Sequence, residues 1–178
     1  IIQILENEKR GKKIVFNSEY KGKIKNPSNK SVDLRVYIPK KVDSIDIKLD
    51  TGIIKFFDDV RSEINLNVDS VNVDINKLIG KVIMVADMGN LRISGGMLKS
   101  GSSVKTNFGN ISVKTELEET GEYYFGTNIG SIDLSLPEGT EFDVEAKGSI
   151  RSNEFEQCFS GAKIKLESKM GDISLTRY

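Results

Sequence analysis

The sequence predicts an all-β fold, a β-solenoid of parallel-stacked coils of about 20 residues each. Three observations predict it. A short turn-plus-strand unit, Gly then Asn, Ser or Asp then an apolar residue, recurs along the chain. Every copy keeps the same phase of apolar and polar positions, so each strand has one face to bury. No segment sustains an apolar pattern at i, i+3, i+4 and i+7, so no long helix competes. An antiparallel β-sandwich is the alternative. Gly-Asn and Gly-Asp are also hairpin dipeptides, and sandwich turns recur every 8 to 12 residues or so, about half the interval here.

Residues 1–29 are the least regular and read as an N-terminal cap on a single β-repeat domain spanning 1–178, with repeats over 30–178. Residues 12–16 are the best strand there, and Asn26-Pro27-Ser28-Asn29 is a turn by composition. Lys21, Lys23, Lys25 and Lys30 make this part locally basic. They read either as a solvated edge that resists strand pairing or as a patch for an anionic polymer. Val32, Leu34, Val36 and Ile38 then alternate until Pro39 ends the run, and Val42, Ile45, Ile47 and Leu49 resume it.

The repeated unit follows. Copies stand at Thr51-Gly52-Ile53-Ile54, Met88-Gly89-Asn90-Leu91, Phe108-Gly109-Asn110-Ile111 and Ile129-Gly130-Ser131-Ile132. Further copies are Lys147-Gly148-Ser149-Ile150 and Met170-Gly171-Asp172-Ile173. Two copies without Gly are placed at Lys30-Ser31-Val32 and Asp69-Ser70-Val71. A short helix or loop is expected only at 76–84 and 115–121. Stacked at about 4.8 Å per rung, the units make two inner columns. One is Ile54, Val71, Leu91, Ile111, Ile132, Ile150 and Ile173, and the other Phe56, Val73, Ile93, Val113, Leu134 and Leu175. Lys55, Asn72, Arg92, Ser112, Asp133 and Ser174 face out.

The stretches Gly130-Ser131-Ile132-Asp133-Leu134-Ser135-Leu136-Pro137, Phe142-Asp143-Val144-Glu145-Ala146 and Met170-Gly171-Asp172-Ile173-Ser174-Leu175 carry a resemblance. They resemble a bacterial domain family of unknown function, described as adhesins with β-strand repeats. The resemblance covers roughly 31–178 and contains no catalytic motif. It implies a β-solenoid-like domain of an extracellular or cell-envelope protein. In that family the slot before Gly is commonly small and polar. Here it holds Met88, Phe108, Ile129 and Met170.

Composition narrows the function. Lys and Arg number 26, Asp and Glu 26, for a net charge of zero, which argues against a nucleic-acid binder. His is absent, and with it the commonest general base and transition-metal ligand. The lone Cys158 makes neither an internal disulfide nor a Cys-based zinc site. Three S-x-x-K matches, at Ser18, Ser102 and Ser160, lack the helix and K-T-G context of a serine–lysine site. No cofactor, no metal and no catalytic residue is expected. The chain opens on Ile1, so it reads as a fragment or processed form, with any signal or membrane anchor outside it.

Two candidate sites remain. Met88, Phe108 and Ile129 would lie on successive rungs at one corner. They either pack inward or form an exposed apolar ridge, which would mark a contact surface. Asp87, Asn107 and Asn128 share the slot two before Gly and would stack into a polar ladder. That ladder either satisfies corner groups or forms part of a carbohydrate or calcium site. The expected function is a non-catalytic structural or interaction module, with a protein or a cell-surface polymer as partner. Self-association through open coil edges is a further expectation. The alternative is a carbohydrate-binding or carbohydrate-active β-coil, with acidic and basic groups clustered around Asp87, Arg92 and Asp133.

Overall fold

The computed structural model describes residues 35–38, 42–156 and 158–178. The chain divides into two compact units, Ile1–Val42 and Asp43–Tyr178. The cap expected over 1–29 and the repeat copy at 30–34 lie outside the described residues. Residues 35–38 form no strand, and Val36 and Ile38 are exposed. Alternation there runs into Pro39, which donates no N–H to a ladder.

The unit Asp43–Tyr178 is built of β1 (Ser44–Val60), β2 (Glu63–Gly80), β3 (Val82–Met88), β4 (Leu91–Ile93), β5 (Gly96–Leu98) and β6 (Ser102–Phe108). It continues with β7 (Ile111–Lys114), β8 (Glu116–Leu117), β9 (Glu122–Ile129), β10 (Ile132–Leu136), β11 (Phe142–Asn153) and β12 (Ala162–Arg177). Among the described residues there is no helix. The stretch 76–84 runs from β2 into β3, because Leu78, Val82 and Met84 all point into the core. The stretch 115–121 holds β8 and a turn.

All strand pairings are parallel, so the fold is a β-solenoid of about seven turns with coils of roughly 20 residues, not a sandwich. One face stacks β3, β6, β9 and the first half of β12, with Leu66, Met84, Val104, Phe125 and Leu166 as a buried column. The next face stacks β4, β7, β10 and the second half of β12. Its columns are Ile54–Val73–Leu91–Ile111–Ile132–Ile173 and Phe56–Ile75–Ile93–Val113–Leu134–Leu175. A third, shorter face stacks the end of β2 on β5 and β8.

Two expectations are corrected by these registers. In the second coil the Gly slot is Val71, not Asp69, since Val71 pairs with Gly52 and Val73 with Ile54. Alternation has a period of two, so a slip of two residues keeps every side chain on its face and leaves no hydrophobic trace.

The second correction is the order of the last coils. β12 pairs with β9 and β10 on one side and with β11 on the other. The last strand is therefore internal, and β11 is outermost. Hydrophobicity accounts for the exchange. β12 fills the inner columns with Ile164, Leu166, Ile173 and Leu175, all buried. β11 offers Val144, Ala146 and Ile150, and sets Asn153 beside Leu175. Full burial of each Leu or Ile is worth about 1.5–3 kcal/mol, so the more apolar coil takes the inside. Ile150, expected in the core column, is 54% exposed. β11 also carries two register irregularities, and outward Lys147 and Arg151, which blunt it as a free edge. Phe155, after β11, meets Phe142 edge-on at 5.0 Å with Arg177 over the Phe155 ring at 5.3 Å, closing this end of the core.

Candidate functional site

The corner between the first two faces is built on glycine. Gly109 has φ 153°, and a Cβ there would overlap the backbone carbonyl of Gly89. Gly130 stands likewise on Gly109, and Gly171 on Gly130, so the rungs touch backbone to backbone. The N–H of Gly89 donates to the Phe108 carbonyl at 2.8 Å, Gly109 to Ile129 at 2.9 Å and Gly130 to Met170 at 2.9 Å. Because the chain bends here, the residue before Gly is turned out of the core.

The structure therefore places Met88, Phe108 and Ile129 outside, in direct register. Met170 pairs with Ile129 and extends the row to four rungs. Their exposures are 51%, 52%, 43% and 65% in rung order. Ser70 bounds the row at one end, and past Met170 the register of β11 shifts, so that Lys147 lies beside Glu167 rather than beside Met170. Sequence order alone hid Met170, because Lys147 stands between it and Ile129 in the chain.

The groups around this ridge satisfy one another. Asn107 Nδ2 donates to Asp87 Oδ1 and Asn128 Nδ2 to Asn107 Oδ1, each at 2.9 Å, so the expected polar ladder forms. A second ladder, which sequence reasoning missed, lies past the glycines. Asn90 Oδ1 accepts the Asn110 N–H at 2.8 Å, and Asn110 Oδ1 accepts the Ser131 N–H at 2.8 Å. A third, also missed, is buried: Thr127 Oγ1 donates to the Gly109 carbonyl at 3.0 Å and Ser168 Oγ to that of Gly130 at 2.9 Å. Its signal was legible, a Ser or Thr three residues before Gly at 106, 127 and 168. Among the described residues no buried side-chain polar atom lacks a partner.

The face carrying β6, β9 and β12 holds a shallow groove of about 420 Å³ lined by Ser103, Tyr124, Glu145, Lys163 and Lys165 among others. The Tyr124 ring covers Gly126, its hydroxyl donates to Glu167 Oε2 at 2.9 Å, and Lys165 Nζ lies 5.9 Å from the ring centre. Burial and the Glu167 carboxylate push the Tyr124 hydroxyl up to about 12. Lys165, 2.9 Å away, and Tyr124 hold the Glu167 carboxyl below its usual range.

The remaining candidates stay apart. Asp87 lies on β3, whereas Arg92 and Asp133 lie on β4 and β10, beyond the glycine corner. The rung of Ser112 separates Arg92 from Asp133. Asp59 pairs with Lys77 at 3.6 Å, and Glu118 accepts the Ser100 N–H at 2.8 Å. Ser102 is buried and donates to the Lys99 carbonyl at 2.7 Å, while Lys105 faces solvent. Among the described residues no group of three Cys, Asp or Glu is placed to hold a metal ion. No family model, curated protein or solved structure matches the chain.

Proposed function

We propose that this chain is a non-catalytic interaction module, a rigid β-solenoid whose glycine corner presents the ridge Met88–Phe108–Ile129–Met170 to another polypeptide. One observation carries the reading: four large apolar side chains stand exposed and in register on adjacent rungs. The flanking amides are hydrogen-bonded to one another, so covering the ridge strips little water from unpaired polar groups. The resemblance noted above supports a bacterial envelope or surface location and an adhesin-like role.

The test is a photo-reactive phenylalanine analogue at position 108 in living cells of the source organism, with Lys55 as control position. The expected result is a covalent adduct to a polypeptide at 108 and none at 55. Absence of any adduct at 108 would contradict the reading.

A second reading, carbohydrate binding, is favoured by the Tyr124 groove, where an aromatic ring stands among Glu145, Lys165 and Glu167. The chain has no Trp and five Tyr, so its emission is tyrosine's and Tyr124 supplies part of it. An oligosaccharide that shifts the emission of the natural chain but not that of Tyr124→Phe supports it. Identical responses remove it.

A further inference from the structure

We infer that the ridge is the two-fold interface of an antiparallel homodimer, an inference that rests on the interaction reading above and names its partner. The four residues are symmetric about a midpoint between Phe108 and Ile129. Consider a two-fold axis through that midpoint, in the contact plane and perpendicular to the solenoid axis. It reverses the order of the rungs and keeps each flank on its own side. Met88 then meets Met170 of the second copy, and Phe108 meets Ile129, a self-complementary contact of the kind two-fold dimers use.

The charges fit this operation. The flank before the ridge reads Asp69, Asp87, Asn107, Asn128 and Lys169, acidic at one end and basic at the other. Neither Asp87 nor Lys169 takes part in an ion pair among the described residues. Reversal sets Asp87 opposite Lys169 and Asn107 opposite Asn128. On the other flank it sets Asn90 against Asp172 and Asn110 against Ser131, so no like charges meet. The outermost strand competes poorly as a self-pairing surface, because β11 is irregular and carries Lys147 and Arg151. Three rung steps of about 4.8 Å make the ridge about 14 Å long. That is small for an interface, so the dimer dissociates on dilution.

The test is sedimentation of the 178-residue chain over a concentration series. A monomer–dimer equilibrium is expected, weakened at least about tenfold by Phe108→Glu, with the thermal unfolding curve unchanged because Phe108 lies outside the core. Asp87→Lys and Lys169→Asp should each weaken the dimer about tenfold, and the pair combined should restore it to within a factor of about three. A chain that stays monomeric at every concentration overturns the dimer. So does a double reversal no better than either single one, or a dimer indifferent to Phe108→Glu. The adduct at position 108 separates this failure from failure of the interaction reading. An adduct of twice the chain's mass supports the dimer. A monomeric chain that still cross-links to a different polypeptide sinks the dimer and keeps the interaction module.

Discussion

Replacing Gly109 by Ala probes the backbone stacking that sets the whole corner. The residue has φ 153°, a region that costs an L-residue about 1–3 kcal/mol. The added Cβ also overlaps the Gly89 carbonyl, so the two rungs must separate. Separation strains three hydrogen bonds: Gly89 N–H to the Phe108 carbonyl, Leu91 N–H to the Asn110 carbonyl, and Asn110 N–H to Asn90 Oδ1. At a net 0.5–1.5 kcal/mol or so each, they add about 1.5–4.5 kcal/mol. The expected loss is therefore about 3–7 kcal/mol against a whole-domain stability of about 5–15. For a chain of this size it lowers Tm by at least about 6 °C. Gly139→Ala is the control: φ there is 80°, and a Cβ meets nothing within 4 Å. Circular dichroism melts and urea titrations of both variants give the comparison. If Gly109→Ala is no worse than Gly139→Ala, the rungs do not stack backbone to backbone and the account of the corner fails.

Other outcomes follow from the same structure. Thr127→Val should cost about 1–3 kcal/mol in urea unfolding, because it leaves the Gly109 carbonyl without its buried donor. Leu175→Ala should cost about 2–5 kcal/mol, since Leu175 is fully buried. Ile150→Ala, at an exposed position, should cost under about 1 kcal/mol. The Tyr124 hydroxyl titrates at about 12 when folded against 10.0 when unfolded. Its contribution is thus complete below pH 10 and is lost as pH rises toward about 12. Melts across that window should show a smaller alkaline loss for Tyr124→Phe than for the natural chain.

Much of the fold was legible because the Gly-x-apolar unit carries its own phase. Leu91, Ile111 and Ile132 stack as the repeat predicts, and Asp87, Asn107 and Asn128 form their ladder. Two features were hidden for physical reasons. The phase of β2 was ambiguous by two residues, because Val71 and Val73 are both apolar and the coil has no glycine at the corner. The exchange of β11 and β12 was hidden because both carry the repeat. What separates them is how well each fills an interior rung, and the repeat unit alone does not express that. The exposure of Phe108 follows from the bend at Gly109, where strict alternation from Thr106 would have turned it inward.

β12 stacks directly on β9 and β10, so that Met170 continues the ridge of Ile129. Paired cysteines test it directly, in a Cys158→Ser background and at high dilution. Ile129→Cys with Met170→Cys occupies adjacent rungs about 4.8 Å apart, within disulfide reach. Ile129→Cys with Lys147→Cys spans two rungs, and because Lys147 lies beside Glu167 it is also offset along the strand, so the two are more than about 9.6 Å apart, beyond that reach. An intramolecular disulfide is expected at 129–170 and none at 129–147. The reverse result would mean the coils stack in sequence order, with Lys147 interrupting the ridge.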